Sequence, residues 1–315
     1  MNIILEALLV VILLFGLFAA TAYRVYNRVK PISRACIGCP NPARVNGYDL
    51  YYRELGVQQQ LAPVVLLHGG PGHSSLSFKN CFDHLSSLTR VIYYDQRGSG
   101  NSQIKSNPTD YTIEELVEEL EILRRDVILS EKIILIAHSF GSALGQRYAL
   151  KYPAHVEKLV IISGIRINNG MSSRFIWKWL GPALYAVGLG FPPSDGKAAD
   201  NWFTKLSDRD DAKRLYDPQQ VHLFENFGTT SFVPWREVSL SLTGSDFKEQ
   251  LRQLHVSTLF IYGAADVVQT GKPVADELSS ILPNFSSVGF EHSGHWPYLE
   301  QPDEFRQVLV SFLTN

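Results

Sequence analysis

Cysteine and net charge are both scarce in this chain of 315 residues. Three cysteines are too few for a disulfide framework, and the formal net charge is only −2, with a pI near 6.5. A nearly balanced charge gives no electrostatic reason to expect nucleic acid as a partner. Internal repeats and low-complexity segments are also absent. What remains is 45% hydrophobic and 19% charged residues, a composition typical of a globular core.

Two of the cysteines form the pattern Cys36-x-x-Cys39. The pattern lacks the second pair of ligands that a structural zinc site needs, so we predict no metal site. We interpret Cys36 and Cys39 as a chance pair, and a redox-active or acylated pair is the alternative.

An apolar run occupies residues 3–22 and is interrupted only by Glu6. Its length of about 20 residues is enough to span a bilayer. Basic residues do not precede it, as they would in a signal peptide, but follow it: Arg24, Arg28, Lys30 and Arg34. This pattern predicts an uncleaved single-pass anchor with the remaining chain on the cytoplasmic side. The alternative is a secreted or periplasmic protein, because residues 20–22 (ATA) resemble a signal-cleavage site.

Beyond the anchor, short apolar runs alternate with an amphipathic segment. Buried strands are predicted at residues 63–67, 90–94, 133–136 and 158–163. Residues 112–129 have helical spacing and begin with a capping box, Thr112-x-x-Glu115. The alternation predicts an α/β fold with a mostly parallel sheet flanked by helices. An Asn46-Gly47 turn predicts an antiparallel hairpin at the edge of that sheet.

The alternation stops for about 90 residues and then resumes with a strand at residues 257–263. The interruption is rich in aromatic residues and has no buried-strand run, which predicts an inserted helical cap over the sheet edge, with some aromatics facing a pocket. A helix near 274–282, a strand near 286–290 and a helix at 303–313 follow. The predicted organisation is therefore an anchor or signal (1–22), a linker (23–44), a first core part (45–164), the cap (165–254) and a second core part (255–315).

The sequence AHSFG at residues 137–141 joins a buried strand to a helical segment through a tight turn. Small residues two positions before and after Ser139 allow the strand and the helix to approach closely. This is the nucleophile-elbow pattern, with Ala137 where Gly is commoner. It predicts Ser139 as a nucleophile held at the carboxyl edge of the sheet, beside a helix N-terminus.

A serine nucleophile needs a base and an orienting acid. Asp266 follows the strand that ends at Gly263, and His295 follows the last strand in a glycine-containing loop. We predict His295 as the base rather than His138, which points across the turn, or His292, which lies too close to the strand end. Asp266 is then the predicted acid.

Backbone donors must stabilise the oxyanion of a tetrahedral intermediate. The amide of Phe140, directly after the nucleophile, is the first candidate. The second is Gly70 in HGGPG (residues 68–72), because Pro71 has no N–H and glycine allows close approach to substrate. Asp95 and Arg97, in DQRGSG (residues 95–100), are expected to hold loops rather than to contact substrate.

These motifs together resemble the proline iminopeptidase-like branch of the α/β-hydrolase superfamily, from about residue 45 to the end. The motifs are HGGPG, DQRGSG, the Ser139 elbow and Gly294-His295, and the chain order Ser, Asp, His is that of the superfamily. The resemblance implies a cofactor-independent serine hydrolase that removes N-terminal proline or another residue from short peptides. Members with the same motifs also cleave amides, esters or lactones.

The resemblance also implies that cap carboxylates bind the substrate ammonium. Glu225 and Glu237 are the candidates, and Trp296 is a further substrate-binding candidate beside the predicted base. We expect an aminopeptidase acting on a small molecule or short peptide, with a carboxylesterase or lactonase for small hydrophobic acyl compounds as the alternative. A catalytically silent receptor or scaffold is the third hypothesis. Epoxide hydrolase and dehalogenase chemistry is disfavoured because both need a carboxylate at the elbow.

Overall fold

A seven-stranded sheet forms the centre of the protein. The computed structural model describes residues 2–57, 61–164, 174–242, 247–266 and 271–315. The described strands, seven of them in this sheet and two in a separate pair, are β1 (Ala43–Val45), β2 (Tyr48–Leu50), β3 (Tyr52–Leu55), β4 (Val64–Leu67), β5 (Val91–Tyr94), β6 (Ile133–His138), β7 (Val156–Ile162), β8 (Ser257–Gly263) and β9 (Phe285–Phe290). The sheet order is β3-β5-β4-β6-β7-β8-β9, and only the β3–β5 pair is antiparallel. The predicted α/β fold with a mostly parallel sheet is confirmed.

Helices cover both faces of this sheet. The α-helices of the described chain, those of the core together with α1 and the cap helices, are α1 (Asn2–Arg28), α2 (Ile113–Ile122), α3 (Gly141–Lys151), α4 (Arg174–Leu189), α5 (Gly196–Ala212), α6 (Phe232–Leu242), α7 (Lys248–Leu251), α8 (Lys272–Ser279), α9 (Pro297–Glu300) and α10 (Pro302–Thr314). Successive residues of a strand point to opposite faces. Accordingly Val65 and Leu135 belong to one buried cluster, whereas Val64 and Ile134 belong to the other.

The predicted Asn-Gly hairpin forms, but not at the edge of the main sheet. Asn46 and Gly47 both have positive φ, which matches the right-handed twist of the flanking strands. β1 and β2 pair only with each other, and β3 occupies the edge instead. The Asn-Gly pattern predicts the hairpin itself, whereas the edge position in the main sheet is taken by β3, the strand that follows the hairpin.

The predicted capped helix is shorter than its hydrophobic pattern. The Thr112 hydroxyl accepts a hydrogen bond from the Glu115 amide (3.2 Å), so the predicted cap is formed. α2 then ends at Ile122 and continues as a π-helical turn through residues 123–128. Leu129 stops it in the left-handed conformation.

Four helices, α4 to α7, lie between β7 and β8, where the sequence predicts an inserted cap. Residues 165–173, and the side chains of Trp177 and Trp179, lie outside the described part of the chain. Aromatic side chains that are described pack on one another here: Phe203 lies 5.6 Å from Phe232 and 4.5 Å from Trp235, between ring centroids.

α1 is longer than the predicted anchor. Residues Glu6–Arg28 are long and apolar enough to cross a membrane, although a signal sequence would pass the same test. Residues 23–28 of the predicted linker are helical as well, because Ala22 and Tyr26 are buried against the cap. Cys36 and Cys39, which we interpreted as a chance pair, are joined in a disulfide.

Candidate active site

The turn between β6 and α3 holds Ser139 in a strained conformation. Its φ is +52°, in the left-handed region that non-glycine residues rarely adopt, and its amide donates to the Ile162 carbonyl (2.9 Å). Gly141 is required because a Cβ there would overlap the Leu67 carbonyl. Ala137 fits because Gly145 faces it: a Cβ added to Gly145 would lie only 3.3 Å from that of Ala137. The close approach of strand and helix therefore explains the small residues of the elbow.

His295 and Asp266 meet beside this turn. The His295 Nδ1 lies 2.6 Å from the Asp266 Oδ2, and both side chains are buried. In the arrangement where Nδ1–H donates to the carboxylate, Nε2 is the basic nitrogen of the imidazole. The His295 amide also donates to the Arg214 carbonyl (2.9 Å), which ties the histidine loop to the end of the cap helix α5.

The two other histidines considered as bases have different positions. The His138 Nε2 lies 3.0 Å from the His295 carbonyl oxygen and donates to it, so His138 supports the main chain of the neighbouring histidine. Burial holds the pKa of His138 well below its usual value, and the ring is therefore neutral. His292 is exposed and contacts the Tyr216 ring.

The glycine-rich loop after β4 is held by its own histidine. The amide of Gln96 donates to the His68 Nε2 (3.1 Å), and the Gln96 side chain donates to the His68 carbonyl (3.2 Å). Burial lowers the pKa of His68 to about 3, so the ring remains a neutral acceptor. Gly69 and Gly70 line the same cavity as Ser139, and Gly70 has φ +115°. The Phe140 amide lies at the N-terminus of α3, where helix N–H groups have no intrahelical acceptor.

Asp95 and Arg97 hold loops, as their positions in the sequence suggested. The buried Asp95 carboxylate accepts from the amides of Ser75 (2.7 Å) and Asn101 (2.8 Å), which joins the loops after β4 and β5. Arg97 donates through Nε to the buried Glu119 (2.7 Å) and through Nη1 to Glu115 (2.9 Å). These contacts anchor the DQRGSG loop to α2.

A cavity of about 390 Å³ lies between the sheet edge and the cap. Ser139, His295 and the glycine loop form its floor. Cap residues form its other walls, and they are mostly apolar or aromatic: Leu184, Tyr185, Leu189, Phe203, Leu206 and Trp235. Such a lining is typical of pockets that bind small molecules.

The three predicted substrate-binding residues differ in their position relative to the cavity. Trp296 lines the cavity and packs edge-to-face on His295, with 4.8 Å between ring centroids. Glu225 is exposed, and Glu237 pairs with Arg236 (2.6 Å). Among the described residues that line the cavity, neither glutamate is present. A binding role for Glu225 and Glu237 therefore stays a prediction without a supporting contact.

Sequence reasoning missed the polar group of the cavity wall. Asp210, Asp211 and Arg214, at the end of α5, line the cavity, and Asp211 is buried. The Asp211 Oδ1 lies 3.8 Å from the Arg214 Nη1, and its Oδ2 lies 3.4 Å from the Ser207 hydroxyl. The acidic run at residues 208–211 was the available signal, but helical periodicity alone does not show which of its carboxylates faces the pocket. Across the described ranges, no group of three or more His, Cys, Asp or Glu residues could hold a metal ion.

Comparisons with known proteins agree with this geometry. A family model of the α/β hydrolase fold matches residues 62–302. The chain is 29% identical over 287 residues to the proline iminopeptidase of Saccharolobus solfataricus, covering 86% of this chain and 90% of that protein. It is 30% identical over 291 residues to the proline iminopeptidase of Lactobacillus helveticus, covering 85% and 95%.

A solved structure shows the same fold. The enol-lactonase of Burkholderia xenovorans superposes with a TM-score of 0.67 at 22% identity, covering 87% of this chain and all of that one (100%). At this identity the likeness concerns the fold alone. The family model spans most of the chain, and the relatives match it nearly end to end. The chain therefore belongs to the α/β-hydrolase fold family, in its proline iminopeptidase-like branch, and is a serine hydrolase.

Proposed function

We propose that this protein is an aminopeptidase in which Ser139, His295 and Asp266 form the catalytic triad. The observation that carries the proposal is the 2.6 Å contact between the His295 Nδ1 and the Asp266 Oδ2, both buried, at a cavity that Ser139 also lines. An imidazole oriented in this way can accept the proton of a serine hydroxyl.

The reaction follows from these positions. The Ser139 oxygen attacks the carbonyl carbon of the substrate while its proton passes to the His295 Nε2. The amides of Gly70 and Phe140 stabilise the resulting oxyanion. The C–N bond then breaks, and the departing amine takes the proton from His295. Water, deprotonated by His295, attacks the acyl-enzyme, and the proton returns to Ser139 as the acid is released.

The terminal ammonium of a peptide needs a negative partner in the cavity. We assign this role to Asp210 and Asp211, since both line the cavity and Asp211 is buried. A buried carboxylate forms stronger charge-assisted hydrogen bonds than an exposed one. The relatives named proline iminopeptidase support an N-terminal residue as the group removed.

A carboxylesterase or lactonase is the second candidate. The apolar and aromatic cavity walls favour it, because an acyl group without an ammonium would need no carboxylate there. The fold likeness to an enol-lactonase is consistent with the same chemistry. The Ser139 mechanism would be unchanged, with an alcohol instead of an amine as the leaving group.

The chain organisation that we propose is an N-terminal anchor, a linker, and a hydrolase core interrupted by the cap at residues 165–254. Basic residues in the last turns of α1 and just after it favour a cytoplasmic catalytic domain. The Cys36–Cys39 disulfide favours the opposite side, because disulfides persist in oxidising compartments. We retain the cytoplasmic side as the prediction. A membrane-impermeant active-site label should then react in lysed cells but not in intact ones, and equal labelling of both would place the domain outside.

Labelling with a fluorophosphonate tests the nucleophile directly. Wild-type protein should be labelled and Ser139→Ala should not, with activity falling by about 10⁴-fold or more. Ser279→Ala, at an exposed serine of α8, is the matched control and should behave as wild type. Circular dichroism must show that both variants are folded. If the wild type is not labelled, or Ser139→Ala is labelled equally, the protein is a silent receptor or scaffold instead.

Two substrates separate the two hydrolase candidates. Proline aminoacyl amides and short p-nitrophenyl esters should be assayed side by side with the same preparation. We expect both to be cleaved, and both activities to disappear in Ser139→Ala. Turnover of esters without any turnover of aminoacyl amides would reject the aminopeptidase.

A further inference from the structure

Helix α4 has an apolar face that the rest of the described chain leaves largely exposed to solvent. Leu180, Leu184 and Val187 follow the spacing of one helix face and are 36%, 52% and 76% exposed. Phe191, just after the helix, continues this surface at 44% exposed. We call these four residues the α4 apolar face. Single exposed apolar residues scattered over a soluble surface are normal, whereas a group of neighbouring ones marks a site of interaction.

The membrane-spanning candidate α1 packs directly against this part of the cap. The Phe18 ring meets Phe191 edge-to-face, with 6.0 Å between centroids. The buried Tyr26 donates its hydroxyl to the Gly190 carbonyl (2.7 Å), and its ring lies 6.3 Å from that of Tyr185. The apolar surface of α1 therefore runs into the α4 apolar face without a polar break between Phe18 and Phe191.

Polar contacts hold the C-terminal end of α1 against α6, the cap helix that carries Arg236. The buried Arg236 donates to the Val29 carbonyl (3.2 Å) and to the Tyr26 carbonyl, at the C-terminal end of α1. A cation suits this end of a helix, where unsatisfied carbonyls carry partial negative charge. Glu237 neutralises the arginine through an ion pair. Because Tyr185 of α4 packs on both Tyr26 of α1 and Trp235 of α6, α4 cannot lie far from any membrane that α1 crosses.

The depth of α4 follows from helix geometry. Phe18 precedes Arg28 by ten residues, or about 15 Å along the axis. Arg24 and Arg28 are exposed, and long basic side chains extend to lipid headgroups from an apolar segment. Phe191, in contact with Phe18, then lies at the level of the last apolar turns of α1. The α4 apolar face would thus be at the boundary of headgroups and acyl chains.

The catalytic cavity borders the same helix. Leu184 belongs to the α4 apolar face and also lines the cavity. Two further residues of this region, Gly188 and Leu189, line the cavity as well. We infer that the α4 apolar face inserts into the bilayer surface and that the cavity takes its substrate from the membrane. The substrate class is an amphiphilic amide or ester with an apolar chain, whose carbonyl reaches Ser139 along α4. This inference rests on the proposed serine hydrolase function.

Insertion of the α4 apolar face into the bilayer can be measured without an activity assay. Val187→Cys and Leu129→Cys, both at positions 76% exposed, should be labelled with an environment-sensitive fluorophore in full-length protein reconstituted into vesicles. Leu129 is the matched control because it follows α2, in the core rather than in the cap. We expect a blue-shifted emission, quenched by acyl-chain spin-labelled lipid, only at position 187. Equal water exposure at the two positions would overturn the inference.

Activity tests the substrate class. Val187→Asp should lower turnover of a long-chain p-nitrophenyl ester held in the vesicles by about tenfold, the factor expected when one valine-sized apolar contact with lipid is lost. Turnover of the short water-soluble ester should be unchanged, and Leu129→Asp should alter neither rate. An undiminished long-chain rate in Val187→Asp would overturn the inference, whereas a wild type inactive on every ester and amide would reject the proposed function instead.

Discussion

The hydrolase core and the cap place their functional groups in different ways. In the core, Ser139, Asp266 and His295 come after strands of one sheet, and the strand ends determine where these side chains lie. In the cap, Asp210 and Asp211 lie on α5, which packs through aromatic side chains on α6, and α6 in turn contacts α1. The comparison teaches that candidate catalytic residues at strand ends can be predicted from the local sequence, whereas candidate binding residues on inserted helices cannot.

The two regions also differ in how they use buried charge. The core buries the ion pair Arg97–Glu119 beneath its loop. In the cap, Asp200 accepts a hydrogen bond from the amide of Phe232 (2.8 Å), so one cap helix caps the N-terminus of another. The first arrangement joins two core elements, and the second joins two elements of the insertion.

The strongest test of this contrast is Arg97→Met. Removing the guanidinium leaves the Glu119 carboxylate buried without its charge partner, which costs about 3 kcal/mol or more. The thermal unfolding midpoint in detergent should fall by roughly 10 °C. Arg44→Met, which removes an exposed ion pair with Asp49, is the control and should change the midpoint by at most about 2 °C. If the unfolding midpoint falls equally in both variants, burial of the core ion pair does not increase its contribution to stability.

The binding role of the cap is tested by Asp211→Asn. The neutral side chain loses a charge-assisted hydrogen bond to the substrate ammonium, so KM for proline aminoacyl amides should rise by about tenfold. The kcat for these amides, and both constants for short esters, should stay within about twofold, because the triad is untouched. Asp208→Asn, at an exposed position of the same helix, is the control. A loss shared equally by amides and esters would assign Asp211 a structural role.

The smaller of the two expected effects on stability concerns pH. Burial raises the pKa of Asp200 to about 6, from an ordinary value of 3.8. Between these values the folded protein binds more protons than the unfolded chain, so this contribution to stability is present below pH 4 and lost as the pH rises through 6. About 2 pKa units correspond to about 3 kcal/mol, so the difference in unfolding midpoint between wild type and Asp200→Asn should shift by roughly 6 °C across this range, against the wild type at higher pH. Parallel profiles would show that Asp200 keeps an ordinary pKa.

Sequence patterns predicted the sheet and the elbow well because both depend on neighbouring residues. An apolar run followed by small residues around Ser139 matches the strand-turn-helix of a nucleophile elbow. The hairpin at Asn46-Gly47 formed for the same local reason, but its separation from the main sheet was not predictable. Likewise, the helical extension of α1 beyond residue 22 depends on the burial of Tyr26 against the cap.

The sequence by itself determined the fold class, the family, and the candidate nucleophile, acid and base. Tertiary structure decided that His138 supports the His295 main chain, that Asp211 rather than Glu225 or Glu237 borders the cavity, and that α1 packs against α4. The physical reason is the sequence separation of the residues whose contacts set each feature. Backbone geometry and strand ends are set over a few residues, whereas the direction in which an inserted helix faces is set by contacts with segments more than 150 residues away, as between Tyr26 and Gly190.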